Sequence, residues 1–161
     1  DGTLIGKYRK THLFACSPVY EHHCLSPGDS YEIMEIGGLK FGLLICYDLR
    51  FPELARSLAL KGAQVLVLVS AWPRSRIEHW RILCAARAIE NQLYMVAANR
   101  VGQDGEMVFG GSSCLVDPYG IVIGSANDSG EALLVGEIDE EKIASVRKKM
   151  PVFEHRREDI Y

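Results

Sequence analysis

The sequence predicts a single α/β domain. Strand-like and helix-like runs alternate between residues 31 and 98 with short connections, as in a parallel or mixed sheet with helices packed on it. Val65 to Val69 is a short, wholly apolar run rich in β-branched residues, the kind covered on both faces. The 161 residues, 48% hydrophobic and 24% charged, suit one domain able to bury a substantial core without a metal or disulfide staple.

Each element has its own signal. Tyr31 to Ile36 alternates loosely, Gly37-Gly38 supplies two residues free to take positive φ, and Lys40 to Ile45 resumes as an apolar run, so a hairpin is expected. Pro52 fits the first turn of a helix that places Leu54, Ala55, Leu58 and Ala59 on one face and stops at Gly62. After the Val65 strand, a second helix runs from about Arg76 to Glu90, with Ile77, Trp80, Leu83, Cys84 and Ala88 at helical spacing. Leu93 to Ala98 is a further buried strand. Beyond Asn99 the rhythm shortens: Val108-Phe109, Ser113 to Val116, Ile121 to Ile123 and Ala132 to Ile138 read as short strands. Asp117-Pro118-Tyr119-Gly120 is a type I turn between two of them. A last helix from about Glu140 to Lys149 precedes Pro151 and a polar tail.

Bulk properties exclude several classes. A formal charge of -3 and a pI near 6.0 argue against a nucleic-acid or anionic-membrane surface, which needs clustered positive charge. No segment approaches the roughly 20 apolar residues that span a bilayer, and no basic start leads into an apolar core. Five scattered cysteines suit a reducing compartment, hence the cytoplasm, better than a disulfide framework. Asp1-Gly2-Thr3 reads as a turn between strands, so upstream sequence is expected.

The chemistry centres on Cys46, where the run Leu39-Lys40-Phe41-Gly42-Leu43-Leu44-Ile45 gives way to Tyr47-Asp48-Leu49-Arg50-Phe51-Pro52. A thiol at the start of a helix meets unpaired N–H groups and a partial positive charge that favour thiolate. Two further stretches accompany it: Tyr8-Arg9-Lys10-Thr11-His12-Leu13-Phe14, and Glu21 ahead of Leu25-Ser26-Pro27-Gly28-Asp29. With Ala86-Arg87-Ala88-Ile89-Glu90-Asn91-Gln92 and Asn99-Arg100-Val101-Gly102 coming after in order, the chain resembles the nitrilase superfamily of carbon-nitrogen hydrolases, its omega-amidase-like branch in particular. The likeness extends over residues 1–161, matched to the later three-fifths of a typical member.

The resemblance implies a four-layer α-β-β-α sandwich, with two sheets between helical layers, of which this chain supplies the larger part. It implies Cys46 as nucleophile, Lys10 as its cationic partner, and Glu21 as the carboxylate that orients the lysine and substrate. The glutamate that acts as general base is expected upstream of residue 1. The backbone N–H of Tyr47 and Lys10 are the expected donors to the oxyanion formed when a thiolate attacks an amide. The implied reaction releases ammonia and a carboxylic acid through a thioester and needs no cofactor or metal. Homodimers or larger homo-oligomers built by pairing helical layers are implied, with a small-molecule amide as substrate and neither nucleic acid nor membrane as partner.

Trp72, Asn99 and Arg100 come after strands at the sheet edge where α/β proteins build ligand crevices. Trp72 is expected as an apolar wall, with Arg74, Arg76 or Arg100 as candidates to grip a distal carboxylate. Asp48, Arg50, Glu53, Arg87 and Glu90 are expected to brace the cysteine turn. A papain-like Cys-His pair is disfavoured because no histidine is tied to Cys46 by motif, and an α/β-hydrolase elbow because Leu44 and Asp48 stand where glycines belong. Cys16, His22, His23 and Cys24 lack a second pair at zinc-ligand spacing. The alternatives left open are a carbamoyl-amide or nitrile hydrolase, or a non-catalytic or regulatory subunit without the general base.

Overall fold

The computed structural model describes residues 2–160. Ten strands and three α-helices form among them, in the order β1 (Ala15–Cys16), β2 (Val19–Tyr20), β3 (Ile33–Ile36), β4 (Leu39–Ile45), α1 (Pro52–Leu60), β5 (Val65–Ser70), α2 (Ile77–Asn91), β6 (Tyr94–Asn99), β7 (Gln103–Asp104), β8 (Met107–Val108), β9 (Cys114–Val116), β10 (Val122–Ser125) and α3 (Glu140–Lys149). Six strands make one mixed sheet in the order β10-β9-β6-β5-β4-β3. β4, β5 and β6 run parallel, joined by α1 and α2, and the outer neighbours pair antiparallel.

The two parallel crossovers decide where the site lies. Leu44, Leu66, Leu68, Met95 and Ala97 point to one face, against Leu54, Ala55, Leu58 and Ala59 of α1 and Trp80, Cys84 and Ala88 of α2. Gly42 of β4 is needed there, because a Cβ would come within 2.9 Å of Leu66 and 3.0 Å of Leu58. On the opposite face Val65 and Tyr94 meet Ile143 of α3, with Phe41, Val67, Val96 and Ile138 around them. The register aligns Ile45 with Val69 and Ser70 with Asn99, so the three parallel strands finish together. The segments leaving their C-terminal ends therefore meet at one edge, the usual crevice of an α/β sheet.

The hairpin at Gly37-Gly38 forms as expected, with φ of 59° and 86° at its two glycines. The helices match their expected spans to within about one residue at either end. The expected turn at Asp1-Gly2-Thr3 lies partly outside the described residues; Gly2 has a φ of 84° and Thr3 no regular structure. One strand does not form. Residues 132–138 belong to no strand, and Leu133 and Val135 are 88% and 86% exposed. The apolar pattern is there, but a strand needs a neighbouring edge for its N–H and C=O groups, and none lies alongside among the described residues. The described residues accordingly supply one six-stranded sheet with α1 and α2 on one face and α3 on the other, a mixed α/β architecture of the expected class.

Candidate active site

β4 ends at Ile45 and the chain turns into a 3-10 helix, Cys46–Arg50, before α1 begins at Pro52. Cys46 makes the turn with a φ of 48°, in the left-handed region where a side chain is disfavoured. Strain of this kind persists only where the surroundings impose it. The turn therefore resembles a nucleophile elbow without the flanking glycines, a feature that the residues at Leu44 and Asp48 concealed.

Asp48 imposes the turn. Its carboxylate is fully buried and accepts five hydrogen bonds: from Ile45 N at 2.9 Å, Tyr8 Oη at 2.8 Å, Thr11 Oγ1 at 3.2 Å, His12 N at 3.0 Å and His12 Nδ1 at 2.9 Å. The first of these folds the cysteine turn back on its own strand, and the other four tie residues 8–12 to it. Burial, with Asp48 adding to it, pushes the Tyr8 hydroxyl up to about 12, so it remains a donor. The His12 ring stacks on Phe51, with centroids 3.7 Å apart. From the other side, Arg87 of α2 donates Nε and Nη2 to the Leu49 carbonyl at 3.1 and 2.9 Å while Nη1 pairs with Glu90 at 2.8 Å. Glu53 is exposed on α1 and takes no part in this bracing.

The clamp on residues 8–12 positions Lys10. Its Nζ lies 2.8 and 2.6 Å from the two carboxylate oxygens of Glu21, and Glu21 also accepts the Phe14 N–H at 2.7 Å. The Lys10 side chain is only 9% exposed, so a charge partner is required there. The Lys10 carbonyl accepts Gly28 N at 2.8 Å, and Gly28 packs so closely on the Arg9 carbonyl that no Cβ fits. This accounts for the glycine in Ser26-Pro27-Gly28.

Lys10, Glu21, Cys46 and Tyr47 line one cleft of about 1110 Å³, together with Trp72, Arg50, Arg74 and Arg76. Its apolar walls come from Phe14, Pro18 and Val19 on the β1–β2 side, Val69 on β5, and Met107, Val108 and Phe109 on the β7–β8 side. Neither small hairpin is expected from the sequence as a pair, although Val108-Phe109 is expected as a strand and the two-residue loop Gly105-Glu106 puts glycine first, with a φ of 56°.

The expected pocket residues divide. Trp72 lines the cleft but is 2% exposed, held by Asn99 Oδ1 on its N–H at 2.7 Å and by its own Nε1 on the Arg76 carbonyl at 2.8 Å. Asn99 and Arg100 do not line it. Asn99 is buried and donates to the Gly111 carbonyl at 2.7 Å, joining the ends of β5 and β6 to that loop. Arg100 lies over the Phe109 ring at 4.3 Å and pairs with Asp104 at 3.4 Å. Strand ends predict the crevice, but they do not reveal which side chains turn into it. Among the described residues no cluster of His, Cys, Asp and Glu could hold a metal ion.

A six-stranded sheet with a strained cysteine at the end of a parallel strand, lining one cleft with a lysine-glutamate pair, defines an α/β protein built around a thiol. The chain matches the carbon-nitrogen hydrolase family over residues 1–148 and belongs to that family, with omega-amidase-like relatives in the nitrilase superfamily. It is 42% identical over its whole length to the 2-oxoglutaramate amidase of Bacillus subtilis (strain 168) and covers 61% of that protein. It is 39% identical to the omega-amidase NIT2 of Homo sapiens, all of the chain aligning with 60% of the human protein. A carbon-nitrogen hydrolase from Helicobacter pylori G27 superimposes with a TM-score of 0.95 at 34% identity, covering all of this chain and 61% of that structure. The chain thus spans about three-fifths of the length of these relatives.

Proposed function

We propose that the protein hydrolyses a small linear amide with Cys46 as nucleophile. The observation that carries this reading is the shared cleft: a thiol on a strained turn and an ammonium held by a carboxylate open onto one cavity. The amidase names of the Bacillus and human relatives support the same reaction class.

In this reading the Cys46 sulfur attacks the amide carbon, and the oxygen takes up negative charge against Lys10 and the Tyr47 N–H. A carboxylate accepts the thiol proton and passes it to nitrogen as the C–N bond breaks, releasing ammonia and leaving an acyl thioester. The same carboxylate then takes a proton from water as its oxygen attacks the thioester, giving the acid and restoring the thiol. Glu21 is engaged with Lys10 and serves as its orienting partner; the family resemblance assigns the base to a glutamate upstream of residue 1. The setting we propose is cytoplasmic, in keeping with five free cysteines, and the assembly a homodimer or larger homo-oligomer, in keeping with exposed Ile82 and Ile89 on α2.

Ammonia released from a panel of small amides, carbamoyl compounds and nitriles tests this in the complete gene product, with Cys46→Ala as control. Release from amides that disappears in the control is expected. Release persisting in the control would remove Cys46 as nucleophile, and release only from nitriles or carbamoyl compounds would move the substrate class.

A further inference from the structure

A second cavity also has a thiol in its wall, and this one has another thiol behind it. Helix α2 is joined to the chain entering β9 by two adjacent side chains: Trp80 Nε1 donates to the Ser112 carbonyl at 2.8 Å, and Arg81 Nη2 to the Ser112 hydroxyl at 3.3 Å. Cys84 follows Trp80 by four helical residues, and Cys114 follows Ser112 by two, at the start of β9. Those steps advance by about 6 Å along a helix and about 7 Å along an extended chain, so the two sulfurs arrive opposite each other. Both belong to the same buried core, and the Cys84 S–H donates to the Cys114 sulfur.

The two cysteines differ in access. Cys84 is wholly buried, whereas Cys114 is 7% exposed and lines a cavity of about 260 Å³ whose polar side is made by Arg81, Ser112 and Ser125. Among the described residues none lines both this cavity and the cleft at Cys46. The hydrogen bond from Cys84, outweighing burial, holds the Cys114 pKa below its usual value, while that bond and burial push Cys84 up. Cys114 is thus the thiolate former of the pair, and Cys84 the neighbour that keeps its proton.

We infer that Cys114 and Cys84 form a second thiol site, in which Cys114 reduces a small hydroperoxide entering the cavity and Cys84 closes a disulfide. The Cys114 sulfur attacks one peroxide oxygen. An S–O bond forms, the O–O bond breaks, and the departing hydroxide takes up the proton that Cys114 had released, leaving water and a sulfenic acid. The Cys84 sulfur then attacks the Cys114 sulfur: the S–S bond forms, the S–O bond breaks, and the oxygen leaves as water with the Cys84 proton. Two thiols and one peroxide give one disulfide and two waters, two electrons passing from sulfur to oxygen. The inference does not rest on the hydrolase reading, since neither cysteine lines the cleft at Cys46.

Mass spectrometry of the complete gene product tests it, after hydrogen peroxide treatment and alkylation of the remaining thiols by iodoacetamide in urea. Loss of alkylation at Cys84 and Cys114 together is expected, with a peptide pair joined through them and separated by dithiothreitol. In Cys84→Ala the disulfide cannot form, and dimedone should label Cys114 as its sulfenic acid; in Cys114→Ala, Cys84 should remain reduced. The wild-type measurement needs neither variant to fold. Cys84 and Cys114 both still alkylated at a peroxide concentration that has oxidised the exposed Cys16 and Cys24 overturns the site. So does Cys114 joined to any cysteine other than Cys84, or dimedone on Cys84 in the Cys114→Ala protein.

Discussion

At the scale of single residues the site depends on one carboxylate that touches no substrate. Asp48 orders both partners at once, because four of its hydrogen bonds hold the Lys10 segment and the fifth holds the Cys46 turn. Asp48→Asn keeps the shape but removes the charge and turns an amide N–H₂ toward donors. Loss of about 3 kcal/mol in urea unfolding is expected, together with slower alkylation of Cys46 by iodoacetamide. Lys10→Met tests a different quantity. If the ammonium stabilises the oxyanion, kcat falls by about 10²–10³ while KM moves little, and a drop confined to KM would assign it to binding alone. Neither network was legible beforehand in full: Cys46, Lys10 and Glu21 stand out as a motif, whereas the convergence of Tyr8, Thr11 and His12 on Asp48 joins residues about 40 apart and carries no local pattern.

At the scale of elements, the position of Cys46 is set by how β4 sits under α1. Gly42→Ala puts a methyl group against Leu58 and Leu66, and overpacking of about 1–3 kcal/mol should lower the melting temperature. Arg87→Met leaves the Leu49 carbonyl without its buried partner and should cost about 2 kcal/mol, read by denaturant unfolding. The parallel core from β4 to β6 was readable because its apolar runs, Pro52, Gly62 and helical spacing all point the same way. The walls of the cleft were not, since β1–β2 and β7–β8 have two residues per strand and too little pattern to register. Residues 132–138 show the converse: the pattern of a strand is present and the partner edge is not.

At the scale of the whole molecule, the 161-residue chain exposes apolar surface on Leu133, Val135 and Val69. Alone in solution it should bind a dye such as ANS, and Leu133→Lys with Val135→Glu should reduce that binding without altering circular dichroism. Acid stability has a distinct origin at the far end of the sheet. Burial opposes ionisation of Asp117, but Lys142 at 2.6 Å and the N–H groups of Ile121 and Tyr119 outweigh it and hold its pKa below the usual value. A depressed carboxylate stabilises the fold above its unfolded pKa, near 3.9, and that contribution fades as pH falls through the folded value. Asp117→Asn should therefore destabilise the protein at neutral pH and flatten the acid limb of its unfolding curve. The left-handed backbone at Cys46, finally, is tension that sheet, helices and the residue 8–12 clamp jointly sustain. Cys46→Gly and Cys46→Ala are equally inert chemically, yet glycine relaxes there and alanine does not, so the glycine variant should be the more stable by about 1 kcal/mol. A lineage that gave up the reaction would gain sturdiness by trading its thiol for a bare hydrogen, and the working protein forgoes that gain to keep sulfur at the bend.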